Sequence, residues 1–287
     1  MAKIKIATRP SRLAVIQAEL VAKKINDIGF ETEILKIVTE GDEGKFGISK
    51  KSAFTQRLEK ALINGVADLA VHSMKDLPTE ATNVLDLFYP IEDDSADCLV
   101  TKYGKYDLFD LPRGKVIGTS SIRRTSLISI YRPDLKVLEL KGNVDTRLKK
   151  LGEDKFDALI LSCAAIKRLG INPEGLTRLD PEYFIPAPGQ GIIAVEYKKD
   201  DQTSRNIAKL LFNEKTELRA RIESKFNQLM QGGCHFPAGI YTNIKGNEII
   251  LKGYFSDGER HIFSTVITNK DDCLRDLNKL VSKLRNG

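Results

Sequence analysis

The sequence predicts an α/β protein closed by a small α+β domain. Three observations carry this. Short apolar strands alternate with amphipathic helices from residue 3 to about residue 170. Glycines stop several of those helices, and Ser or Asn stands where the next helix begins. Beyond a long helix, three probable strands then follow one another without an intervening helix. The first pattern is the βαβ order of a mostly parallel sheet with helices on both faces, and the last is that of a separate α+β unit.

Lys3 to Thr8 alternates with period 2 and reads as a strand. Ser11 can cap the next helix, which keeps Leu13, Ile16, Leu20 and Ala22 to Ile25 on one face until Gly29. Ile34 to Val38 is a second strand, and Glu40 to Lys51 is a loop rich in glycine and charge. Phe54, Leu58, Ala61 and Leu62 mark a helix ended by Gly65, and Asp68 to Val71 is a short buried strand running into His72-Ser73-Met74-Lys75-Asp76. Three further strands are expected at Lys115–Ile117, Leu135–Leu140 and Phe156–Leu161. Helices should begin at Ile122, follow Gly142-Asn143, and end at Gly170. Leu218, Ile222, Phe226 and Leu229 place a long helix before Gly232-Gly233. Strands at Gly239–Ile244, Glu248–Phe255 and His261–Thr268 and a helix from Asp271 to Leu284 complete the chain.

Composition narrows the function. The 287 residues are 41 % hydrophobic and 29 % charged, which excludes a largely disordered, collagen-like or coiled-coil chain. No stretch reaches the roughly 18 apolar residues of a spanning helix, and the start lacks the apolar core of a signal peptide. Cys98, Cys163, Cys234 and Cys273 are far apart, with no CxxC pair, so neither zinc nor a disulfide scaffold is expected. A reducing cytoplasm is the simplest compartment. The net charge of +6 calls for an anionic partner.

Gly41-Asp42-Glu43-Gly44-Lys45 fails the phosphate-loop spacing, with Phe46 where Ser or Thr is needed. His72, His235 and His261 show no metal-ligand spacing, so no metal is expected. The arginines are more informative. Arg9 ends a strand, Arg123 and Arg124 open a helix, Lys141 and Arg147 flank another helix start, and Arg168 stands near Gly170. One such residue is ordinarily a surface charge. The set, recurring at strand-to-helix junctions, predicts a cleft for a polyanion. Asp76 alone reads as a turn residue. Held in a basic cleft, its carboxylate can stabilise a developing cation or act in proton transfer. Cys234, between Gly232-Gly233 and His235-Phe236-Pro237, is set for access by a covalent partner, whereas Cys98 and Cys163 read as core.

Six ordered motifs now come together. They are Ala7-Thr8-Arg9-Pro10-Ser11-Arg12-Leu13-Ala14, Ala70-Val71-His72-Ser73-Met74-Lys75-Asp76-Leu77-Pro78, Gly118-Thr119-Ser120-Ser121-Ile122-Arg123-Arg124, Lys141-Gly142-Asn143-Val144, Pro186-Ala187-Pro188-Gly189-Gln190-Gly191 and Gly232-Gly233-Cys234. With them the chain resembles the porphobilinogen deaminase family, also called hydroxymethylbilane synthases. The resemblance implies a transferase that condenses four porphobilinogen molecules, each losing ammonia, to give the linear tetrapyrrole hydroxymethylbilane. It implies a dipyrromethane cofactor, one per chain, in thioether linkage to Cys234, and Asp76 as the catalytic carboxylate. It makes Arg9, Ser11, Lys51, Lys75, Arg123, Arg124, Lys141, Arg147 and Arg168 the residues that bind cofactor and substrate, with Gln17 and Gln190 near the site. The acetate and propionate groups of the pyrrole rings give the basic excess a destination.

The implied fold has two doubly wound lobes resembling type II periplasmic solute-binding proteins, plus a small C-terminal domain. Residues 1–91 and 192–210 would form a discontinuous first domain, 95–188 the second, and 214–287 a third carrying Cys234. A monomer in the cytoplasm is expected, with porphobilinogen as its partner and neither nucleic acid nor membrane. The chain departs from the family at Lys50-Lys51-Ser52, where Gly-Lys-Gly is usual, and at Lys141, where Arg is common. The Asp42–Phe54 loop is also short. Rival readings are a reversible solute-binding module and a nucleic-acid binder. The first lacks a signal peptide, and the second lacks a basic run interleaved with aromatics.

Overall fold

The computed structural model describes residues 3–39, 52–78, 82–153, 155–230 and 237–287. Contacts divide the chain into two compact units, Met1–Asp93 with Ile192–Arg221, and Asp94–Gly191 with Ile222–Gly287. The last cut, between Arg221 and Ile222, falls inside a helix.

The chain begins β1 (Ile4–Thr8), α1 (Arg12–Asp27), β2 (Thr32–Lys36), α2 (Ser52–Ile63), β3 (Leu69–Ser73), a 3₁₀ turn at Met74–Asp76, and β4 (Leu85–Ile91). It continues through β5 (Asp97–Thr101), β6 (Val116–Gly118), α3 (Ile122–Tyr131), β7 (Lys136–Leu138), α4 (Val144–Leu151), β8 (Ala158–Ser162), α5 (Cys163–Arg168) and β9 (Leu176–Arg178). It returns to the first unit as β10 (Ile193–Lys198), α6 (Gln202–Leu210) and the first half of α7 (Glu214–Leu229), whose second half, from Ile222, belongs to the second unit. It closes with β11 (Ala238–Lys245), β12 (Glu248–Ser256), β13 (His261–Asn269) and α8 (Cys273–Asn286).

The first sheet has the order β2-β1-β3-β10-β4 and the second β7-β6-β8-β5-β9. In each, one strand runs against the rest, β10 in the first and β5 in the second. Both strands start just after the chain passes from one unit to the other, so they enter at the end where the parallel strands finish. Strands β4, β5, β9 and β10 and helix α6 are additions to the expected elements. The α/β architecture with a C-terminal α+β segment is otherwise the one predicted.

Alternation decides what covers each face. In β1 and β3, Ile4, Ile6, Leu69 and Val71 pack with Ala18, Val21 and Ile25 of α1. Ala7 and Ala70 point the other way, against Leu58 and Leu62 of α2. Ser11 caps α1 as expected, its Oγ accepting from the Ala14 N–H at 3.4 Å. Gly29 follows that helix at φ +92°, where a side chain would be strained. The C-terminal strands form an antiparallel meander. Helix α8 comes so close to it that a Cβ on Gly253 would meet Leu284 Cδ1 at 2.6 Å.

Candidate active site

The chemistry-bearing loops of the first unit leave the ends of β1 and β3, which pair in parallel. Ser73 ends β3, and its hydroxyl exchanges hydrogen bonds with the buried Gln17 amide of α1. Gln17 Nε2 donates to Ser73 Oγ at 2.9 Å, and Ser73 Oγ donates to Gln17 Oε1 at 3.1 Å. The next peptide is fixed as well, because Met74 N donates to Ile192 O at 3.0 Å. Met74 and Leu77 are both buried, packing with Tyr89, Ile192 and Ala194. The turn is thus pinned on both sides, and Asp76 between them is exposed. Among the described residues nothing is bonded to its carboxylate. A turn aspartate with a structural task would cap a backbone N–H, and this one does not. Lys75, next to Asp76 in sequence, and Arg9, just past the end of β1, are half-buried, each already engaged in a contact.

Gln17 was expected near the site, and the structure makes it the brace of the Asp76 turn. Gln17→Ala removes that brace without touching Asp76. Turnover is expected to fall several-fold with about 1 kcal/mol lost in stability, checked by steady-state kinetics beside urea unfolding.

His72, on the opposite face of β3 from Ser73, is buried with its Nε2 3.4 Å from Glu196 Oε2. His261 is exposed on β13. Among the described residues no group of three His, Cys, Asp or Glu side chains could hold a metal ion.

In the second unit the parallel strands β6, β7 and β8 end together, and antiparallel β5 begins at that same end with Asp97 opposite Ser162. Asp97 is fully buried and organises the site. Arg123 Nη2 donates to its Oδ2 at 2.7 Å. Arg124 Nη2 and Nε donate to Oδ1 at 2.6 and 3.1 Å, and Gln190 Nε2 donates to Oδ1 at 2.9 Å. The remaining guanidinium contacts go to backbone, Arg123 Nη1 to Ile185 O at 2.6 Å and Arg124 Nη1 to Ile160 O at 2.7 Å. Ser121 caps α3 below them through the Arg124 N–H. The two arginines expected to face a ligand are therefore 4 % and 6 % exposed and held by a carboxylate. One orphan donor remains: Arg123 Nε is buried with no hydrogen-bond partner among the described residues.

Burial by itself would raise the Asp97 carboxyl, but the two guanidiniums and the Arg124 and Gln190 hydrogen bonds outweigh it and hold it well below the usual carboxylate range. A lowered folded-state value means stability that is complete above the unfolded value, near pH 4, and is lost as pH falls toward the folded one. Asp97→Asn leaves two buried cations uncompensated and should cost about 3–5 kcal/mol. Urea midpoints followed from neutral pH to pH 3 should fall less steeply in this variant than in the wild type.

Gln190 also donates to Ser95 O at 2.7 Å, so the expected near-site residue is a strut beneath the arginines. Its loop is tied to α7, because Gly189 N donates to the buried Glu223 at 2.6 Å. Arg168 Nη2 reaches Gly191 O at 2.5 Å. Lys141 is exposed and pairs with exposed Glu139 at 3.1 Å, a contact weak enough to exchange for a ligand. Arg147 Nε folds back onto Gly142 O at 2.8 Å, beside the Asn143 side chain that caps α4. Lys51 and Cys234 lie outside the described residues, as do Gly41–Phe46, Gly232, Gly233 and His235. Asp97 was not foreseen, although a lone carboxylate inside the run Ala96-Asp97-Cys98-Leu99-Val100 was a signal for it.

The model of the family described as porphobilinogen deaminase, dipyromethane cofactor binding domain, matches residues 4–206. The chain belongs to the porphobilinogen deaminase family. Relatives of that name extend the match to the C-terminal segment. A porphobilinogen deaminase of Clostridium kluyveri is 36 % identical, with 99 % of each chain covered. A probable porphobilinogen deaminase of Thermoplasma volcanium is 40 % identical over 99 % of this chain and 95 % of its own. That of Oceanobacillus iheyensis is 39 % identical over 90 % of this chain and 85 % of its own. Among solved structures, an ancestral cationic amino acid solute binding protein aligns with 73 % of this chain and 87 % of its own at 14 % identity and a TM-score of 0.45.

Proposed function

We propose that this chain condenses four porphobilinogen molecules head to tail, each losing ammonia, and that water then releases the linear tetrapyrrole hydroxymethylbilane. The observation that carries the reading is Asp76, an exposed carboxylate without a partner among the described residues, on a backbone clamped by Ser73, Met74 and Leu77.

The family's cofactor is dipyrromethane, and the donor set fits a group bearing several carboxylates. Cations recur at the strand ends, and the orphaned Arg123 Nε still has a hydrogen bond to give. Cys234 would hold the group through its sulfur, with Arg9, Ser11, Lys51, Lys75, Lys141, Arg147 and Arg168 receiving acetate and propionate side chains and Arg123 adding its unbonded Nε–H, while Arg124, held by Asp97 and Ile160 O, supplies charge from beneath. When bound, the cofactor supplies the pyrrole end from which the product is built. Arg gives a bidentate fork and Lys a point charge, so Lys141 fixes charge more than orientation. Asp76 accepts pyrrole N–H bonds and stabilises the positive charge that grows as ammonia leaves. Because its turn is already fixed, little reorganisation is needed at that moment.

Four molecules of ammonia per tetrapyrrole, with porphobilinogen consumed in proportion, are the expected result of incubating the purified protein with porphobilinogen. Substrate left unchanged would overturn the reading. Residues 214–287 read as a third domain carrying Cys234. We read the chain as a monomer of the cytoplasm; the free thiols of Cys98, Cys163 and Cys273 fit a reducing compartment, and among the described residues no helix is long and apolar enough to cross a membrane. Sedimentation at the monomer mass of 32.0 kDa is expected.

A further inference from the structure

On the α1 face of the first sheet, Gln17 and Ser73 brace the Asp76 turn. The opposite face carries a second polar pair on the same strand. His72 and Glu196 are 7 % and 6 % exposed, with His72 Nε2 3.4 Å from Glu196 Oε2. Across the antiparallel ladder Ala194 stands opposite His72, and Ala70 opposite Glu196. Two small residues thus leave space for the diagonal contact between the longer ones. The surroundings are apolar: Leu58 and Leu62 pack with Ala70, and Met74 and Tyr89 with Ala194. Neither atom of the pair has an aligned hydrogen bond among the described residues. The attraction is electrostatic, and the apolar surroundings strengthen it. The contact joins β3 to β10 where the backbone leading to Asp76 depends on β10. Ile193 is opposite Ser73, and Ile192 O receives the Met74 N–H at 3.0 Å. The other edge of β10 does not fix that register, because its pairing with β4 slips between Ile193 and Val195. Glu196 lies beyond the slip, opposite Leu87. Holding His72 from there ties the end of β3 to the regular part of β10.

We propose that Glu196, acting on His72, is a positioning residue that fixes where the Asp76 carboxylate stands. This rests on the reading of Asp76 as the group that stabilises the growing positive charge. A buried polar pair costs desolvation, and well-packed apolar side chains would fill the same space without that cost. A placement role accounts for its presence at this strand end. A turn that shifts leaves the carboxylates of the substrate bound as before, but it moves the acceptor off line from the reacting ring.

The test uses the holoproteins Glu196→Gln and His72→Leu/Glu196→Met, the second replacing the pair by apolar side chains of similar size. Each is made with Asp76 intact and in the Asp76→Asn background. With Asp76 intact, kcat for porphobilinogen should be about tenfold lower at unchanged KM. Amide exchange at Met74 and Leu77 should be about tenfold faster. In the Asp76→Asn background the same changes should lower the rate no further, because no carboxylate is left to misplace. The apolar double variant should be as slow as Glu196→Gln, although it leaves no unpaired polar group in the core. A wild-type kcat in Glu196→Gln, an equal fractional loss in both backgrounds, or a restored rate in the double variant overturns the proposal. If Glu196→Gln fails to fold, the double variant carries the comparison between backgrounds. A wild-type protein that leaves porphobilinogen unchanged, or an Asp76→Asn protein with the wild-type rate, would instead overturn the reading of Asp76.

Discussion

Cys234→Ser should purify with the mass of the bare polypeptide, while the active wild type carries the additional mass of two linked pyrroles. Serine keeps the size of the side chain and loses the thiolate, which is the nucleophile for thioether formation. Without a covalent primer, porphobilinogen has nothing to extend, and turnover should fall by at least about a thousandfold. Folding should be preserved, since the described cores are built from other residues. The measurement is intact-protein mass spectrometry beside an ammonia-release assay. Wild-type output from the serine variant would remove the covalent mechanism.

Asp76→Asn should slow turnover by about a hundred- to ten-thousandfold, the range for losing one positioned acid–base or charge-stabilising group. The amide has the same shape but presents a donor where a pyrrole N–H and a growing positive charge require an acceptor. Binding should change little, because the carboxylates of the substrate are received by the basic residues. The carboxylate is exposed and without a partner among the described residues, so stability should stay within about 0.5 kcal/mol of wild type. Single-turnover rates with porphobilinogen, compared with KM and urea midpoints, separate these effects. A near-normal rate would show that the turn is held in place for some other purpose.

Much of the molecule was legible before any coordinates. Ser11 and Ser121 cap α1 and α3, where short polar side chains precede amphipathic runs. The C-terminal meander and its closing helix follow from period-2 and period-3.6 patterns. Strands β4, β5, β9 and β10 were harder to read. Wholly buried or very short strands carry no alternation to detect: β5 is buried at every residue, β10 at all but its last, and β9 has only three residues. Strand β4 contains Pro90, which reads against a strand. The site followed the same division. The basic residues at strand ends were visible one by one, but their partners were not. Arg123 and Arg124 read as ligand-facing forks until Asp97, 26 and 27 residues away in sequence, takes both of them. Gln17 and Gln190 read as neighbours of the site, and they are the braces beneath it.

By itself the sequence determined which elements form and which side chains could do the chemistry, because caps, periodicity and motif residues act over a few positions along the chain. The tertiary structure alone decided which cations are sequestered and which carboxylate stands unpaired. Those outcomes depend on the order of strands in a sheet, where β5 and β10 enter beside strands distant in sequence. A charged group's role is set by what burial and neighbouring strands leave for it to bind.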